Sequence, residues 1–295
     1  MDRDGTLETK PETEKQKCIM SYKLHVSRIL FLILFLAAAS CSQYEKLLKS
    51  DDFQRQMEAA YEYYENEDWV RAATLIERVL PIYQGTQRAV ELNFMLANCY
   101  YNRGDYILAS HHFDRFVREY PTSEQAKEAM FMRAYCNYLL SPRPSLDQTA
   151  TRRSIDQFNL FINRYPDSEK VEEARELIAE MRDKLLEKSF ISARLYYDME
   201  DYRAAIIALK NSLVDFPETR HREEIMFMIL RSSFLLADNS VPERQLERFQ
   251  NTVDEYYAFI EEFPDSRYRD EADRYLSNSL RVLDNYPIED LSQEY

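Results

Sequence analysis

Glycine is almost missing from this 295-residue chain: Gly5, Gly85 and Gly104 are all it has. Dinucleotide fingerprints and phosphate-cradling loops need clustered glycines, so both are excluded. Histidine is nearly as scarce, with four residues. No His-Glu-x-x-His, Cys-x-x-Cys or Gly-x-Ser-x-Gly pattern occurs, which leaves zinc chemistry and a serine-nucleophile elbow without their residues. His111 and His112 are adjacent, and neighbours on a helix point about 100° apart, so the pair is poorly placed to chelate. Paired acids such as Glu172–Glu173 and Glu261–Glu262 read as solvated faces or helix ends, not as acid/base pairs. Positive charge is short as well. The net charge is −14, whereas phosphate binding needs a basic face, so nucleic acid is excluded as a partner. No catalytic residue, metal site or soluble cofactor is assigned.

What the chain does have is aromatic residues, 22 Tyr and 16 Phe, set among good helix formers. That is the profile of an all-α protein packed on aromatic side chains. No apolar run reaches the roughly 20 residues of a membrane span. The longest is ILFLILFLAAA at 29–39, which follows Lys23 and Arg28 and runs into small residues before Cys41. A basic start, a short apolar stretch and a small-residue exit make a secretory signal. Met20 then reads as the initiator, and residues 1–19 as an upstream extension.

The cysteine sets the type of signal. LAAASC at 36–41 resembles the lipobox of bacterial lipoproteins, with Ala38 in the position usually held by leucine and Leu36 two places earlier. The resemblance implies cleavage before Cys41, diacylglycerol on its sulfur and an acyl chain on the new amino terminus. The other reading is an ordinary cleaved signal with an incidental cysteine. Ser42 and Gln43 follow in place of aspartate, which favours a periplasm-facing position on the outer membrane. From Cys41 onward the chain holds 32 basic and 47 acidic residues.

One phrase recurs beyond the signal: EYPTSEQAKEA from Glu119, RYPDSEKVEEA from Arg164, DFPETRHREEI from Asp215 and EFPDSRYRDEA from Glu262. The prolines, Pro121, Pro166, Pro217 and Pro264, are 45, 51 and 47 residues apart. Twelve places before each lies a small residue (Ala109, Ser154, Ala205, Thr252). Eight before lies a large one (Phe113, Phe158, Leu209, Tyr256), and five before lie Phe116, Phe161, Ser212 and Phe259. This spacing puts all three on one helical face, with the small residue admitting a neighbour. The proline ends that helix. Ser123, Ser168, Thr219 and Ser266 are expected to cap the next one, with Glu128, Glu173, Glu224 and Glu271 outside and Ala129, Ala174, Ile225 and Ala272 inside.

The phrase is therefore a joint between helix hairpins. The second unit places Leu96, Ala97, Tyr100, Gly104, Tyr106, Ala109, Phe113 and Pro121 as a tetratricopeptide repeat does, with Asn93 in the tryptophan slot. The first unit uses Trp69, Ala72 and Ile76, with Pro81 three places early. The fourth uses Tyr196, Tyr202, Ala205 and Leu209. Units three and five carry insertions at 141–153 and 236–250. Residues 176–197 contain no breaker and read as one long helix. The expectation is an all-α, right-handed solenoid of about five tetratricopeptide-like hairpins over 52–285. Its parts are an extension and signal at 1–40, a lipidated linker at 41–51, units one to three at 52–169, units four and five at 170–285, and a frayed tail at 286–295.

Tyrosines cluster at Tyr61, Tyr63 and Tyr64, at Tyr100 and Tyr101, at Tyr196 and Tyr197, and at Tyr256 and Tyr257. Neighbouring residues cannot all face the core, so some line solvent or a groove. One reading is core packing with incidental exposure. The other is a peptide groove in the first two units, built from Tyr61, Tyr64, Trp69, Tyr100, Tyr101 and Tyr106. Cys99 and Cys136 fall on first helices of consecutive units. Two buried thiols are favoured over a disulfide, which needs close, well-directed Cβ atoms.

A lipobox followed directly by about five such units resembles the BamD family of outer-membrane lipoproteins. MFMRAYCNYLL at 130–140 is similar to that family's third unit, and residues 181–219 to its linking helix and fourth unit. The resemblance implies a non-enzymatic scaffold in β-barrel assembly. Its C-terminal units would dock the periplasmic domains of the barrel protein BamA, alongside other assembly lipoproteins. Its N-terminal units would receive the terminal strand of unfolded outer-membrane proteins. Arg203, at the start of the fourth unit's second helix, is the one residue carried over. The alternatives are a tetratricopeptide lipoprotein that binds cell-wall or division proteins, and an outer-membrane lipoprotein of nutrient uptake.

Overall fold

The structure, a computed structural model, describes residues 43–285. The signal, Cys41 and the tail lie outside the described residues. Two compact units divide the chain, one up to Asp105 and one from Tyr106. The first holds α1 (43–48), α2 (Phe53–Glu65), α3 (Trp69–Tyr83) and α4 (Gln87–Asn102). The second holds α5 (Tyr106–Glu119), α6 (Ala126–Leu139), α7 (Thr149–Arg164), α8 (Val171–Asp198), α9 (Tyr202–Asp215), α10 (Arg222–Asp238), α11 (Pro242–Glu262) and α12 (Arg269–Asp284). No strand occurs among the described residues. Within each unit every helix from α2 onward packs on the next, and α10 also touches α8 and α12. The chain is an all-α array of tetratricopeptide-like helix hairpins.

Two recurring backbone devices build this array. The first closes a hairpin. The Asp68 and Glu67 N–H groups donate to the Tyr63 and Tyr64 carbonyls at 2.8 and 3.1 Å. The same pair of bonds joins Asp105 and Gly104 to Tyr100 and Tyr101, and Asp201 and Glu200 to Tyr196 and Tyr197. This is the Schellman closure, which needs a left-handed residue after the helix. Gly104 adopts it at φ 78°, as glycine does at little steric cost. Glu67 and Glu200 adopt it at 58° and 61°, where a Cβ is strained. Asp68 and Asp201 then cap the following helices through Oδ1, accepting from Arg71 and Ala204 backbone N–H.

The second device is the proline joint. Tyr165, Phe216 and Phe263 share one backbone conformation near φ −130°, ψ 70°. The following proline forbids the helical region there, so the helix stops one residue before it. Two successive turns follow. Ser123 N–H donates to the Tyr120 carbonyl and Ala126 N–H to the Ser123 carbonyl, and this pattern recurs at 165–171, 216–222 and 263–269. The hydroxyls do not cap as expected. Each helix starts three residues after its Ser or Thr. Ser168, Thr219 and Ser266 instead accept the N–H two residues on, and Ser123 donates to the Tyr120 carbonyl. Two turns lie between proline and helix, which puts the hydroxyl out of reach of the helix's first free N–H groups.

The inward face is as expected. Ala109, Ser154, Ala205 and Thr252 are wholly buried, and so are Phe113, Phe158, Leu209, Phe161 and Phe259. In the third repeat Phe131 meets Phe158 and Phe161 edge-on at 5.3 and 5.5 Å. Such pairs add to a burial term of about 1.5–3 kcal/mol per ring. Cys99 and Cys136 are free and buried, their thiols pushed up to about 12 by burial.

Other expectations change. Pro81 lies inside α3, which runs on to Tyr83. At the last turn little helix remains to be broken. The 236–250 segment is no loop: α10 continues to Asp238, and Pro242 starts α11 at a position where its missing N–H costs nothing. The 141–153 segment is a loop only as far as Gln148. Glu224 and Glu271 are half-buried and paired with Arg194 and Arg231, so they do not project freely. Helix α8 spans 28 residues and packs on both α7 and α9, while α12 is an extra helix beyond the five pairs.

Candidate protein-binding surfaces

In the first unit the tyrosines converge on carboxylates. Tyr61 on α2 donates its hydroxyl to Glu91 Oε2 on α4 at 2.8 Å. Tyr100 on α4 donates to Glu77 Oε1 on α3. Burial first, then the neighbouring carboxylate, pushes both phenols up to about 12. Tyr100 is buried, and Arg103 lies 5.3 Å from its ring. Tyr64 meets Trp69 edge-on at 5.2 Å across the α2–α3 turn. Tyr101 is half-buried at the end of α4. Tyr106 belongs to the second unit, where it begins α5. Tyr61, Tyr64, Trp69 and Tyr100 therefore bind α2, α3 and α4 to one another, and the half-buried edges of Tyr61, Tyr64, Trp69 and Tyr101 form what surface these aromatics offer.

A feature the sequence reading missed lies beside them. Tyr44 and Tyr63 pack edge-on at 5.7 Å, with the Arg71 guanidinium 5.4 and 5.5 Å from the two rings. Wholly buried Gln56 donates through Nε2 to the Leu47 and Ser50 carbonyls at 2.9 and 2.8 Å. The stretch beginning two residues after Cys41 is thus fastened to α2, where a linker had been expected. Between them is a groove of about 920 Å³, lined by Tyr44, Lys46, Arg55, Glu58 and Tyr63 among others.

In the second unit Arg203 is exposed at the start of α9 and makes no ion pair among the described residues. It lines a groove of about 530 Å³ among α9, α10 and α11, with Ile206, Ile207 and Leu236 as apolar walls. Lys210 pairs with Glu255 across the groove, Arg244 with Glu247 at 3.8 Å, and Arg248 donates to Ser240 Oγ. Four cations face two carboxylates in a chain of net charge −14. Arg244 and Arg248 fall in the stretch expected to be an insertion, although their spacing of four puts them on one face of α11. A further stripe, Ile191, Leu195 and Tyr196 on the last turns of α8 with Met199 just past its end, is exposed. Contiguous exposed apolar surface of this kind marks interaction sites.

Among the described residues no helix is long and apolar enough to cross a membrane, and no three His, Cys, Asp or Glu side chains gather around a metal position.

Similar solved structures include tetratricopeptide proteins. The tetratricopeptide domain of P58(IPK) is 14% identical, with 85% of this chain and 69% of that chain covered and a TM-score of 0.38. The TPR2AB domain of yeast Sti1 is 9% identical, with 77% and 98% covered and a TM-score of 0.35. A tetratricopeptide repeat protein of Parabacteroides merdae ATCC 43184 is 11% identical, with 78% and 100% covered and a TM-score of 0.34. Likeness at this level carries nothing about partners. The comparison with curated proteins finds no match. The family described as YfiO, outer membrane lipoprotein, matches residues 50–228 and 189–286. With the matches overlapping and nearly every described residue covered, the chain belongs to the YfiO family of outer membrane lipoproteins.

Proposed function

We propose that the protein is a scaffold of the β-barrel assembly machine. It is held at the periplasmic face of the outer membrane by diacylglycerol on the Cys41 sulfur and an acyl chain on the Cys41 amino group. Two or more chains anchor stably where one does not. Its partners are a BamA-like barrel protein, other assembly lipoproteins and unfolded outer-membrane proteins. The observation that carries this reading is the family match along nearly the whole repeat array, joined to the LAAASC sequence at 36–41. A tetratricopeptide array by itself would not, because one fold hosts many functions.

The work is binding, with no covalent step. The half-buried edges of Tyr61, Tyr64, Trp69 and Tyr101 suit an aromatic-rich extended chain. The open cations around Arg203 and the apolar stripe on α8 suit a folded partner with an acidic rim. Capture from detergent-solubilised envelopes tests this. A BamA-like barrel protein should co-purify with the wild type, and Cys41→Ser should move the protein out of the membrane fraction. Recovery of cell-wall or division proteins in its place, or of a nutrient transporter, overturns the reading.

A further inference from the structure

The groove bounded by α9, α10 and α11 combines two properties. Its cations outnumber its carboxylates. With Lys210 paired to Glu255 and Arg244 to Glu247, Arg203 and Arg248 have no carboxylate among the described residues. Its apolar wall is also open: Ile207 is 57% exposed, and Ile206 and Leu236 are half-buried. An acidic segment with a few apolar side chains fits both. The chain carries such a segment directly after α12. Residues 286–295, YPIEDLSQEY, hold Glu289, Asp290 and Glu294 with no Lys or Arg, beside Ile288 and Leu291.

The packing of α12 brings this segment to the groove. Helix α12 runs alongside α10 in the same direction: Ser266, Tyr268, Glu271 and Tyr275 meet Glu223, Phe227, Arg231 and Phe234 in turn. From Tyr275 to Asp284 is about 14 Å along the helix, whereas α10 ends about 6 Å beyond Phe234. Asp284 therefore emerges level with the 239–241 turn and the start of α11. Helices α9 and α11, each reversed from α10 by a short connection, lie side by side with Lys210 against Glu255. In that register Arg248 is level with Arg203, and Arg244 stands one turn nearer the mouth. The groove thus opens on the edge where α12 ends. Crossing the start of α11 takes about one helix diameter, ~10 Å, or roughly three residues of extended chain. Ten residues reach about 33 Å, so the segment spans the groove as well.

We propose that residues 286–295 fold back over the 239–241 turn and dock in this groove. Glu289 and Asp290 face Arg244 and Arg248. Glu294, roughly 15 Å further along an extended chain, faces Arg203 and Lys210. Ile288 and Leu291 cover Ile207 and Leu236. Tethering gives the segment an effective concentration of millimolar order, so individually weak contacts hold it. Three acids against an excess of two cations make the docking salt-sensitive. The chain itself then covers the groove, and an acidic partner must displace it. The docking is independent of the assembly-machine reading, since it involves one chain alone.

Disulfide trapping in the full chain tests this. Asn251→Cys, at an exposed position on the groove wall, is combined with Ser292→Cys in the segment. Native Cys99 and Cys136 are buried, and peptide mapping identifies the bond formed. Under a mild oxidant the two new cysteines should join within one chain about tenfold or more faster than Ser292→Cys joins Glu172→Cys, an exposed position at the start of α8. Arg203→Glu with Arg244→Glu should slow the joining about tenfold. Adding Glu289→Lys, Asp290→Lys and Glu294→Lys to that variant should restore it, which a misfolded groove would not allow. Equal rates at positions 251 and 172 overturn the proposal. So does a rate that ignores the charge reversals, or a loss without rescue. Disulfides formed only between two chains also overturn it, since they make a second copy the occupant.

Discussion

The two units treat their polar side chains differently. In the first, the Tyr61 and Tyr100 hydroxyls reach carboxylates on other helices and Gln56 Nε2 holds the Leu47 and Ser50 carbonyls, while Gln56 Oε1 is buried without a partner among the described residues. In the second, Arg203 projects into a groove without a pair, and Arg133 keeps two donors idle. Satisfied polar contacts fix geometry and a buried unpaired donor is costly, whereas an exposed unpaired charge such as Arg203 is open to a partner. The tyrosine–carboxylate bonds of the first unit therefore maintain its own shape, and in the second the exposed Arg203 is left open for binding.

The contrast can be broken most directly at Tyr100. Tyr100→Ala removes a buried ring and leaves Glu77 without its donor. Urea unfolding should show a loss of about 3 kcal/mol, and a loss under ~1 kcal/mol would mean that this network is decoration. Arg203→Glu combined with Arg244→Glu should do the opposite. Stability should stay within about 0.5 kcal/mol of the wild type, as for most surface changes. Partner capture should fall about tenfold, or 1.4 kcal/mol. Equal capture would remove the groove from the binding surface.

A smaller effect tests the hairpin closure that both units share. Glu67→Gly and Glu200→Gly relieve left-handed strain at equivalent positions, and each should raise stability by about 0.5–1 kcal/mol despite the cost of a freer unfolded chain. A rise at one site only would show that the two closures differ after all.

The last difference concerns pH. Every histidine among the described residues lies in the second unit. Burial first, then Arg115 and His111, lower His112 to about 4 from an ordinary 6.5. Between those values the unfolded chain binds more protons than the folded one, so stability falls as pH drops from 6.5 towards 4. Hydrogen exchange over this range should open α5 and its neighbours while the first unit stays protected, and His112→Gln should flatten the response. Uniform opening would show that another group dominates.

Much of the fold was legible because it rests on local rules. The proline joints, the small and large inward positions and the breaker-free α8 follow from chain sterics and helical period alone. What failed did so for reasons of context. Pro81 breaks nothing because it comes at the end of its helix. The 236–250 segment looked like a loop because Asp238, Asn239, Ser240 and Pro242 cluster there, yet only 239–241 interrupt two helices. The surfaces were less legible. Tyr61 and Tyr64 were visible as aromatics, but nothing in their spacing says that Tyr61 meets Glu91, thirty residues on.

The sequence by itself settled that this chain is a series of helix hairpins with proline joints between successive hairpins, since backbone sterics act between neighbours and need no distant partner. Only the tertiary structure decided which polar groups are consumed inside the protein and which are left open. Gln56, Arg133 and Arg203 are all ordinary helix residues in the sequence, and what sets them apart is burial and the acceptors that folding does or does not bring within reach.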